Sequence, residues 1–355
     1  MKTLRFLPLI VAAAFSALVV PACGSDATEG PDAGGGGPGF GTTDGSADPF
    51  AGCLTSSKKA DKIPLDMVIG LDTSFSMDFD SKWTSVRAAL KAFVENPAYS
   101  DLRVGLQFFP IRKQCSATEY AVPAVPLALR ANVETAIEAS LDAQQMSGGT
   151  PMVPLLQGLT NYLRASAQAG RRPVIVLATD GVPDDTCVGG SSDSLPNTLD
   201  NAVLVATQAK DGTPSIATFV IGVGGELTAL NAIGQAGGTG NALLVDTSGN
   251  AQAAFLQALD SIRREAIPCD FPIPASIEDP TKTNVTYTPA GGSAQAFGFV
   301  GNQDGCAKAP TSGWYFDDEA APHKIILCPQ TCDIVKNDDQ GNVDVVFGCP
   351  RLDVR

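Results

Sequence analysis

Residues 67–76 read Met67-Val68-Ile69-Gly70-Leu71-Asp72-Thr73-Ser74-Phe75-Ser76. An apolar run leads straight into an aspartate and two serines at i, i+2 and i+4. A continuous run, rather than an alternating one, marks a strand covered on both faces. The polar triplet then lies where that strand leaves the core. One carboxylate and two neutral hydroxyls suit a hard cation: Mg2+ takes oxygen ligands in near-octahedral geometry at about 2.0–2.1 Å. Hydroxyls hold an ion without cancelling its charge, so it can still take a carboxylate from another molecule.

Working outward, the stretch from Ile63 alternates strand-like and helix-like patterns. The runs at 64–71, 102–109, 173–179, 214–222 and 242–246, with a shorter piece near 121–127, predict strands. Helical periodicity covers about 81–95, 131–141, 151–168, 198–210, 226–235 and 250–266. Such alternation predicts a doubly wound, mostly parallel α/β sheet, in which ligands bind beyond the carboxyl ends of the strands. Gly222-Val223-Gly224-Gly225 follows one strand but lacks the full spacing of a dinucleotide loop, so it reads as a strand-to-helix turn.

Two further elements fall at the same expected edge. Ser147-Gly148-Gly149-Thr150-Pro151 puts a hydroxyl at the mouth of a helix, and Val174-Ile175-Val176-Leu177-Ala178 runs into Thr179-Asp180-Gly181. Each piece alone is ordinary: Asp and Ser are common turn residues, Thr150 before Pro151 is a plausible helix cap, and Asp180-Gly181 a plausible turn. In this order, Asp72-x-Ser74-x-Ser76, Thr150 and Asp180 resemble the metal-ion-dependent adhesion site of the von Willebrand factor type A family, over about residues 60 to 268. The resemblance implies a Rossmann-like fold and a bound Mg2+, or Mn2+ or Ca2+ in its place. It also implies that Ser74, Ser76 and Thr150 touch the metal, while Asp72 and Asp180 act largely through waters. Integrin-type relatives carry paired acids just past the serines, for a second cation. Here Asp80 meets one offset but Phe79 stands at the other, and Asp80 or Ser81 capping the first helix is the better-supported reading.

The chain of 355 residues has 38 acidic and 24 basic side chains, a net charge of −14. This balance argues against a nucleic-acid partner, which needs clustered Lys and Arg. Residues 1–22 have the proportions of an export signal, with Lys2 and Arg5 before an apolar run from Phe6 to Val20. The stretch Val20-Pro21-Ala22-Cys23-Gly24 resembles a bacterial lipobox, with Cys23 as the lipidated residue. Gly24 after the cysteine suggests an outer-membrane lipoprotein of the cell envelope. Residues 23–52 hold Gly34-Gly35-Gly36-Gly37-Pro38-Gly39 and few large apolar side chains, the composition of a flexible tether.

Nine cysteines minus Cys23 leave an even number for disulfides in an oxidising compartment. Cys115 and Cys187 each follow a strand at the edge that carries Asp72, so they are expected to pair. Cys53 precedes the first strand and Cys269 follows the last helix, which suggests a bond between the ends of a domain spanning 53–269. Residues 270–355 read as a small Cys-rich β module, with runs at 284–288, 294–300, 313–316, 324–327 and 343–347. A piece this small has a marginal core, which cross-links offset. Cys306–Cys328 and Cys332–Cys349 are the pairs expected there. Cys328-x-x-x-Cys332 suits disulfides better than a metal, since His323 is the only histidine.

The leading expectation is a surface-anchored, Mg2+-dependent binding protein that takes a carboxylate of a protein ligand, with no catalysis. A metal-dependent hydrolase is weaker, because no histidine, Gly-x-Ser-x-Gly or His-Glu-x-x-His motif accompanies the carboxylates. A third alternative is a structural spacer that leaves recognition to the C-terminal module.

Overall fold

A computed structural model describes residue 50 and residues 56–59, 64–225, 227–266, 269–273, 279–309, 312–338 and 341–354. The expected signal, Cys23, most of the tether and Cys53 lie outside these residues. After strand β1 (Ser56–Lys59) come β2 (Leu65–Asp72), α1 (Lys82–Glu95), β3 (Arg103–Phe109), α2 (Ala117–Tyr120), β4 (Val125–Leu129), α3 (Arg130–Ala143) and α4 (Met152–Ala165). The chain continues through β5 (Arg172–Thr179), α5 (Leu199–Asp211), β6 (Ala217–Val223), α6 (Asn231–Ala236), β7 (Leu243–Val245) and α7 (Ala251–Glu265). The remainder holds β8 (Asp270–Pro272), β9 (Thr283–Thr288), β10 (Gln295–Phe299), β11 (Gly313–Phe316), β12 (Lys324–Leu327), α8 (Pro329–Lys336) and β13 (Asn342–Phe347).

Six strands form the first sheet in the order β4-β3-β2-β5-β6-β7. All neighbours are parallel except edge strand β4, which runs antiparallel to β3. Every residue of the central strand β2 is buried, which accounts for its unbroken apolar run. Met67, Ile69 and Leu71 pack with Trp83, Leu90 and Phe93 of α1 and Phe255 and Leu259 of α7. Val68 faces the other way, towards Leu155 and Leu159 of α4. Gly70 shares that second face, where a Cβ would come within 2.9 Å of Leu155, so its bareness lets α4 approach the sheet closely.

Strand order reverses around β2: β3 lies on one side and β5 on the other. The loops after β2 and β5 therefore open into one crevice at the carboxyl edge.

The second sheet has seven strands in the order β1-β13-β9-β10-β11-β12-β8, with only the β10–β11 pair parallel. Trp314, fully buried in its core, donates its indole N–H to Phe297 O at 3.0 Å. Three features of this region differ from expectation. Residues 56–59, expected within the α/β domain, are strand β1 of this sheet. The segment 329–336 is helical: Pro329 sits in its first turn and Cys332 and Val335 are buried against the sheet. The element that precedes β13 in the chain is therefore a helix, α8.

The third difference concerns disulfides. Cys269 pairs with Cys332, not with Cys53. The cause is the short strand β8, which pairs with β12, so that Leu327 N donates to Cys269 O and Cys269 lies beside α8. Cys332 is thereby consumed, and the expected Cys332–Cys349 bond does not form. Cys349 is itself disulfide-bonded. Cys306 pairs with Cys328 and Cys115 with Cys187. Lys336 of α8 also donates to Glu265 O at the end of α7, at 2.9 Å, a polar link between the last helix of the first layer and the second.

Candidate metal centre

Asp72 closes β2, and the chain then turns through Thr73 and Ser74 into a short 3-10 turn, Phe75–Asp78. Thr73 ties this turn to the end of β3: its N–H and its hydroxyl both donate to Phe109 O, at 2.7 and 3.1 Å. The Asp72 carboxylate folds back on its own loop, taking Ser74 N–H on Oδ1 at 2.7 Å and the Thr179 hydroxyl on Oδ2 at 2.6 Å. Both donors are neutral and the side chain is fully buried, so burial outweighs the hydrogen bonds and pushes its pKa up to about 6.

Ser74 and Ser76 hydroxyls lie 3.0 Å apart, and Ser76 donates to Asp180 Oδ1 at 2.8 Å across 104 positions of sequence. Asp180 directly follows β5, so the switch in strand order is what sets it against the β2 loop.

Thr150 arrives on a third loop, just ahead of α4. That loop is stitched to the first by Ser147 N–H on Thr73 O at 2.8 Å and Phe75 N–H on Gly148 O at 3.2 Å. The Thr150 side chain faces the bare α-carbon of Gly181, where a Cβ would lie 3.8 Å from its hydroxyl oxygen. All five residues singled out in the sequence, Asp72, Ser74, Ser76, Thr150 and Asp180, thus lie on three adjoining loops at one sheet edge. No hydrogen bond links Thr150 Oγ1 to the other four side chains among the described residues.

The donor set fits a hard divalent cation. It offers two carboxylates and three hydroxyls, oxygen only. Among the described residues no group of three or more His, Cys, Asp or Glu side chains comes together. Any cation held here therefore depends on the hydroxyls. A cation already stands against the set: Lys82 Nζ donates to Asp180 Oδ2 at 2.8 Å and reaches Ser76 O at 3.5 Å.

Two supporting residues carried no signal in the sequence. One is Lys82, the first residue of α1. The other is Asn197, which is buried and uses its whole amide: Nδ2 donates to Thr150 O at 3.0 Å and Asp184 O at 3.1 Å, and Oδ1 accepts from Val153 N at 3.0 Å. It fixes the Thr150 loop against the loop that follows Asp180. That second loop is held again by Cys115–Cys187 and by Asp193, which takes Thr118 N–H and the Ser116 hydroxyl on one oxygen at 2.9 and 2.8 Å.

Neither Asp80 nor Ser81 caps α1 through its side chain. Both adopt left-handed backbone, φ 54° and 57°, and Ser81 stands at the cap position without a side-chain bond. The rim of the crevice is apolar in part, with Phe75 and Phe79 more than half exposed and packed edge to face at 5.4 Å.

The sequence profile of the von Willebrand factor type A domain matches residues 66–263, more than half of the chain. This chain belongs to that family. Its α/β layer is a von Willebrand factor type A domain, and the β-rich second sheet is additional to it. Among solved structures, the pilus adhesin SpaC of Lactobacillus rhamnosus GG is similar at 16% identity and a TM-score of 0.42, over 80% of this chain and 38% of that one. The manganese-loaded TRAP protein of Plasmodium vivax matches at 14% identity and a TM-score of 0.41, over 68% and 95%. The pilus adhesin RrgA of Streptococcus pneumoniae matches at 12% and 0.40, over 84% and 58%. These likenesses concern the fold alone. The chain spans about two fifths of the length of SpaC. A comparison with curated protein sequences finds no match.

Proposed function

We propose that this von Willebrand factor type A protein is a surface-anchored binding module that holds Mg2+, or Mn2+ or Ca2+, and takes a carboxylate of a protein partner on that ion. One observation carries the reading: Ser76 is hydrogen-bonded to Asp180 directly beside Ser74 and the buried Asp72, with the Thr150 hydroxyl beside Gly181, the residue after Asp180. The bound cation would supply Lewis acidity towards an anionic group. Ser74, Ser76 and Thr150 would contribute neutral oxygens, and Asp72 and Asp180 the compensating charge. Phe75 and Phe79 would give the partner an apolar surface beside that ion, and the loop braces would keep the donors in place.

Anchoring is proposed through a lipid on Cys23, with the glycine-rich segment as tether and the bacterial outer membrane as the location. The cross-links of the described region suit such an oxidising compartment. In this reading the α/β domain performs recognition, without catalysis.

The test is a Mg2+ titration of purified protein by calorimetry. Thr150→Ala removes one buried hydroxyl that makes no hydrogen bond to the other four side chains and should weaken Mg2+ binding by about tenfold, the equivalent of about 1.4 kcal/mol, with little change in melting temperature. Identical Mg2+ affinity in wild type and variant would overturn the assignment.

A further inference from the structure

Lys82 reaches the candidate site by way of an unusual turn. Two successive left-handed residues, Asp80 and Ser81, swing the start of α1 back beside Ser76. The lysine stem then passes Gly224, at the end of β6, where a Cβ would lie 3.7 Å from Cε. Its ammonium ends 2.8 Å from Asp180 Oδ2. The Lys82 side chain is 15% exposed and that of Asp180 is fully covered, so this is no screened surface pair. Both Asp180 oxygens are engaged, one by Ser76 and one by Lys82.

An ammonium so placed has two electrostatic consequences of opposite sign. It repels a divalent cation from the same oxygens. It also changes the charge that the loaded site presents: two carboxylates cancel a divalent ion, and Lys82 leaves one positive charge over. A single carboxylate from outside would then bring the assembly to neutrality.

We propose that Lys82 sets the balance of this site, weakening its hold on the divalent cation while strengthening its attraction for one partner carboxylate. The proposal rests on the metal reading above and adds to it a residue that tunes both affinities in opposite directions.

The experiment uses full-length protein, with Mn2+ as the ion and acetate as the anion. Free Mn2+ measured by electron paramagnetic resonance gives the metal affinity. The fall in water-proton relaxation of the Mn2+-loaded protein as acetate is added gives the carboxylate affinity. Lys82→Met keeps the stem and removes the charge. It should bind Mn2+ about tenfold more tightly, a change of about 1.4 kcal/mol, and need severalfold more acetate for half effect. Lys82→Arg keeps the charge and should stay near wild type in both measurements, which a merely structural lysine would not require. Mn2+ binding that depends on Thr150 but does not change in Lys82→Met, or two affinities moving in the same direction, would overturn the assignment to Lys82. Mn2+ binding equally tight in wild type and Thr150→Ala would overturn the metal reading and this proposal together.

Discussion

Strand β2 carries a buried aspartate at each end of its apolar run, and the two are treated in opposite ways. Asp66, at the amino end, is 2% exposed and receives two guanidinium groups: Arg103 Nη1 at 2.9 Å and Arg171 Nε at 2.5 Å. Arg171 also donates to the carbonyls of Leu65 and Asp101. Asp72, at the carboxyl end, is fully buried yet meets only neutral donors, from Ser74 and Thr179. Burying a charge is costly unless it is paired. The chain settles that cost internally at one end and leaves it open at the other. The first aspartate serves the fold, and in the proposed reading the second would serve a bound cation.

Breaking the closed end should have the larger effect. Asp66→Asn leaves two half-buried guanidiniums without the buried counter-charge and should destabilise the protein by about 3 kcal/mol, read as a drop in the denaturant midpoint. Divalent-cation affinity of the folded fraction should stay unchanged. A stability loss no larger than that of a surface substitution would remove the basis of the contrast. At the open end, Asp72→Asn in the presence of a chelator should leave stability equal or raise it by about 1–2 kcal/mol, since a carboxylate with an elevated pKa is a buried charge the fold disfavours. The same variant should lose the stabilisation that added Mg2+ gives wild type, which grows with ligand concentration over Kd. A destabilised Asp72→Asn would show the two ends to be alike.

The smallest effect sharpens the role of burial. Asp193 also meets only neutral donors, but it is exposed, and the Thr118 N–H first, then Ser191 and Ser116, hold its carboxyl well below the usual range. A lowered carboxyl contributes stability above its unfolded pKa, here 3.8, and that contribution is lost as pH falls below it. Amide exchange at Thr118 should therefore quicken, relative to the core, on acidification below about pH 4, and Asp193→Asn should remove that pH dependence.

Most of the first layer was legible because β2, β3, β5 and β6 are apolar on both faces, and such runs stand out without any tertiary knowledge. The five oxygen-bearing residues stood out because each lies within a few positions of a strand end or helix start. Lys82 and Asn197 did not: a lysine opening a helix looks like a solvated charge, and an asparagine in a polar loop looks like a turn. Only the crevice that places residues 98 positions apart against each other gives Lys82 its partner. The cysteine pairs failed where they depended on strands too short to read. Three residues of β8 decide that Cys269 goes to Cys332, and no hydrophobic period is visible in Asp270-Phe271-Pro272. Likewise Ser56-Ser57-Lys58-Lys59 has no strand signature, and its pairing with β13 is dictated by the partner.

That pairing settles how the chain passes from one sheet to the other. Ser56 to Lys59 lie at the outer edge of the second sheet, in register with Phe347 to Asp344. Only five residues separate Lys59 from Leu65, where β2 begins, so one continuous stretch of chain serves both sheets. β1 has a single neighbour, β13, whereas β2 is gripped by parallel neighbours on both sides. β1 thus works as a splice: it laps the chain onto the second sheet just before the strand that carries Asp72.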